Sequence, residues 1–309
     1  MRLRVAVCLA GLLAESATAA TDTRIRVNGA ELYAREAGKG PAIIVLHGGP
    51  DFDHSYLLPE LDRLADSYRL IYYDQRGRGR SAANVKPEDV TLASDIADID
   101  AVREHYKLDS AILLGHSWGT VLALEYALRH PQRVSRMILM NPAPASTADL
   151  MGFRSHYLQQ LGADREKQRQ IVASAAYKDG DPAAVSERYR LHFKPAFVKP
   201  AAYEALMARM KVEFVREGKE GIVKARAVED RLMLDTWERN DYDLVPRLRS
   251  LGTPTLVITA DHDFIPVSVG EHVAKALPHA KLVTLKSCGH FTYLECPKDV
   301  RKHIDAFLR

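Results

Sequence analysis

The feature that most constrains the fold is a serine held between two glycines where one apolar segment gives way to another. Residues 111–114 are continuously apolar, residues 115–119 read Gly-His-Ser-Trp-Gly, and residues 118–129 carry apolar side chains at helical spacing. This order is typical of a buried strand that runs through one sharp turn into a helix. A serine hydroxyl is a weak nucleophile unless a base and backbone amides lie close to it. The pattern therefore predicts a nucleophile elbow at Ser117.

Strand and helix patterns alternate along most of the chain. Residues 23–34 alternate apolar and polar side chains around Asn28-Gly29, which predicts an antiparallel hairpin. Apolar runs typical of strands covered on both faces follow at 43–46, 69–73, 111–114, 136–140, 255–259 and 281–285. Helical patterns lie at 59–67, 91–106, 118–129, 267–277 and 297–308. The order predicts an α/β fold, with a mostly parallel sheet, helices on both faces and an N-terminal antiparallel hairpin.

One long segment interrupts this alternation. The alternation stops near Asn141-Pro142 and resumes near Thr253-Pro254, and the residues between show helical patterns at 200–216 and 221–239 without a strand-like run. We expect residues 145–247 to form a helical cap over one end of the sheet. The core then comprises residues 21–144 and 248–309.

The first twenty residues have the layout of a secretory signal peptide. Arg2 and Arg4 precede an apolar run at 5–14, and small residues follow at 17–20. The run is shorter than the roughly 20 residues of a membrane-spanning helix, and the alternative is an N-terminal helix that stays on the chain. We expect residues 1–20 to be removed, leaving a periplasmic or secreted protein without stable membrane association.

Charge and cysteine content add two expectations. A net charge of +3 on 309 residues gives no indication of a surface that binds nucleic acid. Cys288 and Cys296 remain after removal of the signal segment, and an oxidising compartment permits a disulfide between them. Because so short a loop gains modest stability from closure and demands specific geometry, two buried thiols are favoured.

Three residues suited to acyl transfer follow three different predicted strands. In a parallel sheet, ligands bind beyond the carboxyl ends of the strands, where Ser117, Asp263 and His290 are all expected. His290 would accept the Ser117 proton as the hydroxyl attacks an acyl carbon, and Asp263 would orient the imidazole. Asp261 is the alternative acid, and is otherwise a turn residue that caps backbone amides.

The negative oxygen of a tetrahedral intermediate needs hydrogen-bond donors. The Trp118 amide, directly after the nucleophile, is one candidate. The second is the Gly49 amide, which follows the strand at 43–46 where Gly48 and Gly49 let the backbone approach a substrate closely. We expect these two amides to form the oxyanion hole.

Together these residues resemble the α/β-hydrolase superfamily over essentially the whole chain after residue 20. Within it, His47-Gly48-Gly49-Pro50, the run Asp-Gln-Arg-Gly-Arg-Gly-Arg-Ser at 74–81, and the elbow with Trp118 resemble the prolyl iminopeptidase group of serine aminopeptidases. The resemblance implies Ser117 as nucleophile with Asp263 and His290 as its partners, and a helical cap. It also implies removal of N-terminal proline or a similar residue from small peptides, with no metal and no organic cofactor.

The chain departs from that group at several positions. Asp51 and Thr120 stand where the group usually has glycine. The group's cap also supplies acidic residues that bind the free ammonium of the substrate. Four residues are candidates here, each of which could instead belong to a solvated helix face: Glu213, Glu229, Asp230 and Glu238.

Two other functions fit the same residues. The first is a carboxylic-ester or lactone hydrolase with the same three residues and an apolar cap pocket, so the substrate is either a small peptide or a small ester. The second is a noncatalytic ligand-binding protein built on this fold. An enzyme with a nucleophilic aspartate is disfavoured because position 117 is serine.

Overall fold

The structure, a computed structural model, describes residues 20–27 and 29–309. The expected signal peptide lies outside the described residues apart from Ala20, and so does Asn28 of the expected hairpin turn. Among the described residues, no helix has both the length and the apolar character needed to cross a bilayer.

An eight-stranded sheet of order β1-β2-β4-β3-β5-β6-β7-β8 forms the centre of the described chain. Strand β1 pairs antiparallel with β2, and β2 pairs antiparallel with β4, whereas all later pairs are parallel. The mostly parallel sheet and the N-terminal hairpin are thus confirmed. The strands are β1 Thr21–Val27, β2 Ala30–Ala37, β3 Ala42–Leu46, β4 Arg69–Tyr73, β5 Ala111–His116, β6 Val134–Met140, β7 Thr255–Ala260 and β8 Ala280–Leu285.

Helices cover both faces of the sheet, as the continuous apolar strands require. In β3, Ile44 packs with helices α1 and α2 on one face, while Ile43 packs with α11 on the other. The core helices are α1 Leu92–His105, α2 Trp118–Arg129, α9 Val267–Ala276, α10 Thr292–Glu295 and α11 Pro297–Leu308.

A helical insertion, here called the cap, lies between β6 and β7. Its ends are adjacent, because Ser146 and Asp243 form an antiparallel bridge. The two helical patterns of the sequence correspond to two helical stretches of α7 (Pro200–Asp235), which are separated at Gly218, where φ is 66° and ψ is 178°. The cap helices are α3 Thr147–Leu161, α4 Asp164–Ala173, α5 Ala175–Lys178, α6 Pro182–Phe193, α7 Pro200–Asp235 and α8 Val245–Leu248.

Two expectations from the sequence are wrong. The helix expected at 59–67 is replaced by 3-10 turns at 54–57 and 61–64, because Leu61 and Leu64 are both buried and a three-residue turn brings such positions to one side. The thiols favoured at Cys288 and Cys296 are instead joined as a disulfide. The chain folds back through α10, which brings their Cα atoms to 6.3 Å, within the range of a disulfide.

Candidate active site

Ser117 occupies the sharp turn between β5 and α2. Its φ is 53° and its ψ is −121°, a backbone conformation that residues other than glycine rarely adopt. The flanking glycines permit the turn, because a Cβ on Gly115 would overlap the Gly119 carbonyl oxygen and a Cβ on Gly119 would overlap that of Leu46. The backbone around Ser117 is therefore determined by close packing of β3, β5 and α2.

His290 and Asp263 are hydrogen-bonded at the same end of the sheet. The Nδ1 atom of His290 lies 2.9 Å from Asp263 Oδ1 and 3.1 Å from Oδ2, and both side chains are buried. Asp261 lies elsewhere, with its Oδ1 accepting a hydrogen bond from the Ser287 amide at 2.8 Å. The structure thus brings Asp263, rather than Asp261, to the imidazole.

Two residues that the sequence did not single out fix the Asp263 carboxylate. Asn141 follows β6 directly, and its Nδ2 donates to Asp263 Oδ2 at 2.8 Å. The orientation of that amide is set by the Thr292 hydroxyl, which donates to Asn141 Oδ1 at 2.6 Å. A polar residue directly after a buried strand, in the position that also suggested Ser117, was the available signal for Asn141.

A buried hydrogen-bond chain connects the loop after β3 to the His290 loop. The Gly48 amide donates to Tyr56 Oη at 2.7 Å, and Tyr56 Oη lies 2.7 Å from His116 Nδ1. Burial and the neighbouring His290 hold the pKa of His116 well below its ordinary value, so its ring is neutral. Tyr56 therefore donates to Nδ1, and Nε2–H donates to the His290 carbonyl at 3.1 Å.

Gly49 and Trp118, whose amides are expected to form the oxyanion hole, belong to the surroundings of Ser117. Trp118 is the first residue of α2, whose leading amides have no partner within the helix. Gly49 has a φ of 57°, and within the described part of the chain its amide donates to no acceptor. Both residues line the same cavity as Ser117 and His290.

That cavity has a volume of about 170 Å³ and lies between the core and the cap. Nine of its lining residues are aromatic, and the lining includes side chains from the core, from α3, α6 and α7, and from the segment after α7. The aromatic residues are Phe52, Tyr56, Trp118, Phe153, Tyr189, Phe193, Trp237, Phe264 and Phe291. The cavity offers a bound substrate apolar contacts while it stays partly open to solvent.

Three charged residues also line the cavity: Asp51, Arg188 and Glu229. The Tyr189 hydroxyl donates to the Asp51 carboxylate. Burial, followed by the nearby Asp51 charge, raises the pKa of Glu229 to about 8, and burial also raises that of Asp51.

Only one of the four cap acids considered from the sequence lines this cavity, and it is Glu229. Glu213 Oε2 accepts a hydrogen bond from Arg216 Nε at 2.5 Å, and Glu213 lines a neighbouring cavity of about 160 Å³. Asp230 and Glu238 are exposed. Asp51, noted above only as a departure from the family pattern, is the second acid in the cavity.

The His290 loop is bound to the cap through Glu295. The carboxylate of this buried residue accepts hydrogen bonds from the amides of Gly289, Val198 and Lys199 at 2.6, 2.9 and 2.6 Å. The His290 amide also donates to the Ala196 carbonyl at 2.8 Å. The loop that carries the imidazole is therefore fixed by residues of both the core and the cap.

No group of three or more His, Cys, Asp or Glu side chains in the described residues is arranged to hold a metal ion. The groups positioned near Ser117 are instead an imidazole, carboxylates and backbone amides. Such a set is suited to the transfer of an acyl group from a substrate to a serine hydroxyl.

Comparisons with known proteins agree with this fold. A family profile described as the alpha/beta hydrolase fold matches residues 41–297. A proline iminopeptidase of Levilactobacillus brevis is 28% identical over 276 residues, which cover 86% of this chain and 87% of that protein.

Solved structures share the fold under different names. A proline iminopeptidase of Mycobacterium smegmatis gives a TM-score of 0.68 at 23% identity, covering 93% of this chain and 97% of that one. The enol-lactonase of Burkholderia xenovorans LB400 gives 0.68 at 22% identity, covering 93% and 99%. The fold therefore does not by itself select a substrate. The chain belongs to the α/β-hydrolase fold family and, within it, is similar to proline iminopeptidases.

Proposed function

We propose that this protein is a serine hydrolase that works through an acyl-enzyme. The Ser117 hydroxyl attacks the acyl carbon while His290 Nε2 takes its proton, and the amides of Gly49 and Trp118 donate to the resulting oxyanion. His290 then gives the proton to the leaving group as the bond to it breaks. Water, deprotonated by His290, hydrolyses the acyl-enzyme and restores the serine.

Asp263 has an orienting role in this scheme. By accepting the Nδ1–H of His290, it keeps Nε2 free to take a proton and stabilises the imidazolium that forms. Asn141 and Thr292 act on the carboxylate and not on the substrate, so they are positioning residues.

The proposed reaction is release of N-terminal proline or a similar residue from a small peptide. The observation that supports it is the presence of the carboxyl groups of Glu229 and Asp51 in the same cavity as Ser117. An ammonium group enters an aromatic cavity at high cost unless an acidic group accepts its hydrogen bonds. The names of the similar proteins point to the same substrate class.

The cavity also matches a small apolar ring. Its volume of about 170 Å³ is similar to that of an apolar cavity of roughly 150 Å³ known to bind benzene. A prolyl side chain is a ring of comparable size, and the surrounding aromatic side chains offer it apolar contacts.

Turnover of proline 4-nitroanilide tests the proposal. We expect the wild-type protein to cleave it, Ser117→Ala to lose activity, and N-acetylproline 4-nitroanilide to resist cleavage because it lacks the ammonium. Glu229→Gln should raise KM for the free amine about tenfold, because the bound ammonium would favour the ionised form of Glu229 and glutamine cannot supply that charge. Glu213→Gln is the matched control and should leave KM unchanged.

The runner-up is a carboxylic-ester or lactone hydrolase. It is favoured by the raised pKa of Glu229, about 8, because at neutral pH a largely protonated Glu229 would suit an uncharged acyl group. Cleavage of 4-nitrophenyl esters without cleavage of proline 4-nitroanilide would establish this second function. Failure of Ser117 to react with a fluorophosphonate would exclude both and leave a binding protein.

We also propose that residues 1–20 direct export and that residues 145–247 act as the cap domain. The Cys288–Cys296 disulfide supports export, since disulfides persist mainly in oxidising compartments. Mass spectrometry of the mature protein tests the first point, and an N-terminus still at Met1 would contradict it.

A further inference from the structure

Arg188 is a cation in the Ser117 cavity that forms no ion pair with any residue that the structure describes. It lies on α6, its guanidinium carbon is 4.3 Å from the centre of the Tyr189 ring, and its Nε is buried without a hydrogen-bond partner. Within the described residues, no carboxylate forms an ion pair with it. Arg190, two positions along, shows the usual arrangement, with both terminal nitrogens bonded to Glu204 at 2.9 and 2.7 Å.

The two acids of the cavity are near enough to Arg188 to influence it but do not bind it directly. Asp51 accepts a hydrogen bond from Tyr189, and Glu229 has no hydrogen bond or ion pair within the part of the chain that the structure describes. The cavity wall therefore presents a guanidinium and two carboxyl groups that are not paired with one another.

A guanidinium in an aromatic cavity is costly without an anion, and its planar fork of donors matches a carboxylate. A substrate with an ammonium alone would pair with the two acids. Arg188 would still have no anion beside it and would repel the ammonium. A zwitterion would satisfy both kinds of group and leave the net charge of the cavity unchanged.

We propose that Arg188 binds a carboxylate of the substrate, so that the preferred substrates are free dipeptides. In a cavity of about 170 Å³, the C-terminal carboxylate lies beside the scissile bond in a dipeptide but outside the cavity in a longer peptide. The ammonium end of this assignment rests on the proposed aminopeptidase function. The assignment of the substrate carboxylate rests on Arg188 alone.

Binding of a matched ligand pair tests the assignment. Prolylglycine and prolylglycinamide differ only in the C-terminal charge, and Ser117→Ala protein would bind both without turnover. By isothermal titration calorimetry, we expect prolylglycine to bind about tenfold more tightly than the amide, as one charge-assisted contact would give. Adding Arg188→Met should abolish this preference, whereas adding Arg190→Met, on the same helix but outside the cavity, should preserve it.

Thermal unfolding shows whether each variant is folded. If Arg188→Met does not fold, Arg188→Lys replaces it, and we expect a reduced preference because lysine lacks the two-donor fork. Equal binding of the two ligands by Ser117→Ala protein, or no binding of either, would overturn the carboxylate site. A preference for prolylglycine that persists in the Arg188→Met protein would also overturn the carboxylate site.

Turnover by the wild-type protein separates this inference from the proposed function. Cleavage of proline 4-nitroanilide without discrimination between the two dipeptide ligands would retain the aminopeptidase and reject the carboxylate site. Discrimination that depends on Arg188, without cleavage of any prolyl substrate, would retain the carboxylate site and reject the aminopeptidase.

Discussion

At the scale of single residues, donors from three separate segments hold the Asp263 carboxylate. The His290 imidazole, the Ile265 amide and the Asn141 side chain all lie within 3.1 Å of its oxygens. The carboxylate has little freedom to rotate, and the imidazole that it contacts is constrained in turn. A change of a single atom in this group should therefore affect the reaction more than the stability of the fold.

Asp263→Asn should lower kcat by roughly 10⁴-fold, because the new amide would favour the wrong tautomer of His290. Steady-state kinetics on a chromogenic substrate measures the effect. Asp261→Asn is the matched control, and we expect it to change kcat by less than about twofold, since Asp261 contacts no part of the site. A crippled Asp261→Asn with an active Asp263→Asn would show that the acid is wrongly assigned.

The contacts of Asn141 could not be inferred from the sequence, although its position after a strand could. The residues that follow strands were predictable, because the carboxyl ends of parallel strands share one edge of the sheet. The partnership of Asn141 with Thr292 spans 151 positions, and no local pattern relates the two. The unpaired state of Arg188 likewise depends on which side chains the cap places around it.

At the scale of elements, the buried strands and the elbow were predictable because their signals are local. Strand β5 is buried at every position, as its continuous apolar run predicted. The docking of the His290 loop on the cap was not predictable, because Glu295 ends a four-residue helix and its cap partners are backbone amides of a distant segment, which donate to its carboxylate. Backbone groups carry no sequence signature.

Glu295→Gln should destabilise this junction by about 1–3 kcal/mol, because the glutamine NH₂ would face at least one backbone amide without an acceptor between them. Urea denaturation measures the loss. We expect kcat to fall as well, since the Gly289 amide beside His290 is one of the groups released. Glu220→Gln, at an exposed position of α7, is the control. Unchanged stability and activity would show that the junction does not depend on the charge.

At the scale of the whole molecule, core and cap have separate tasks. The core supplies Ser117, Asp263 and His290 from the ends of three strands, and the cap supplies Arg188 and Glu229. The family pattern pointed to the first set from the sequence alone. The second set could not be selected, because helix faces rich in charge look alike until their packing is known.

The half-buried Glu229 should make global stability depend on pH. Burial raises its pKa from 4.5 to about 8, an effect increased by Asp51 and Asp230 and opposed by Arg188 and Arg226. The folded protein keeps a proton that the unfolded chain loses, so the free energy of unfolding should fall as pH rises through this window. Glu229→Gln has no such proton to keep.

The stability gained by Glu229→Gln over the wild-type protein should therefore increase from pH 4.5 to about 8 and then level off. Chemical denaturation of both proteins across that range measures the difference. A constant difference between the two proteins would contradict the raised pKa.

The adjacent ends of the cap make this part of the protein exchangeable. Because the bridge between Ser146 and Asp243 closes the insertion at its base, a different helical segment could be joined there without cutting the sheet. Such a graft would inherit the chemistry of the core and bring its own choice of substrate. It would have to provide a carbonyl in place of that of Ala196, which accepts a hydrogen bond from the His290 amide. The cap can therefore be replaced without changing the order of the core strands, but its contact with the His290 loop must be preserved.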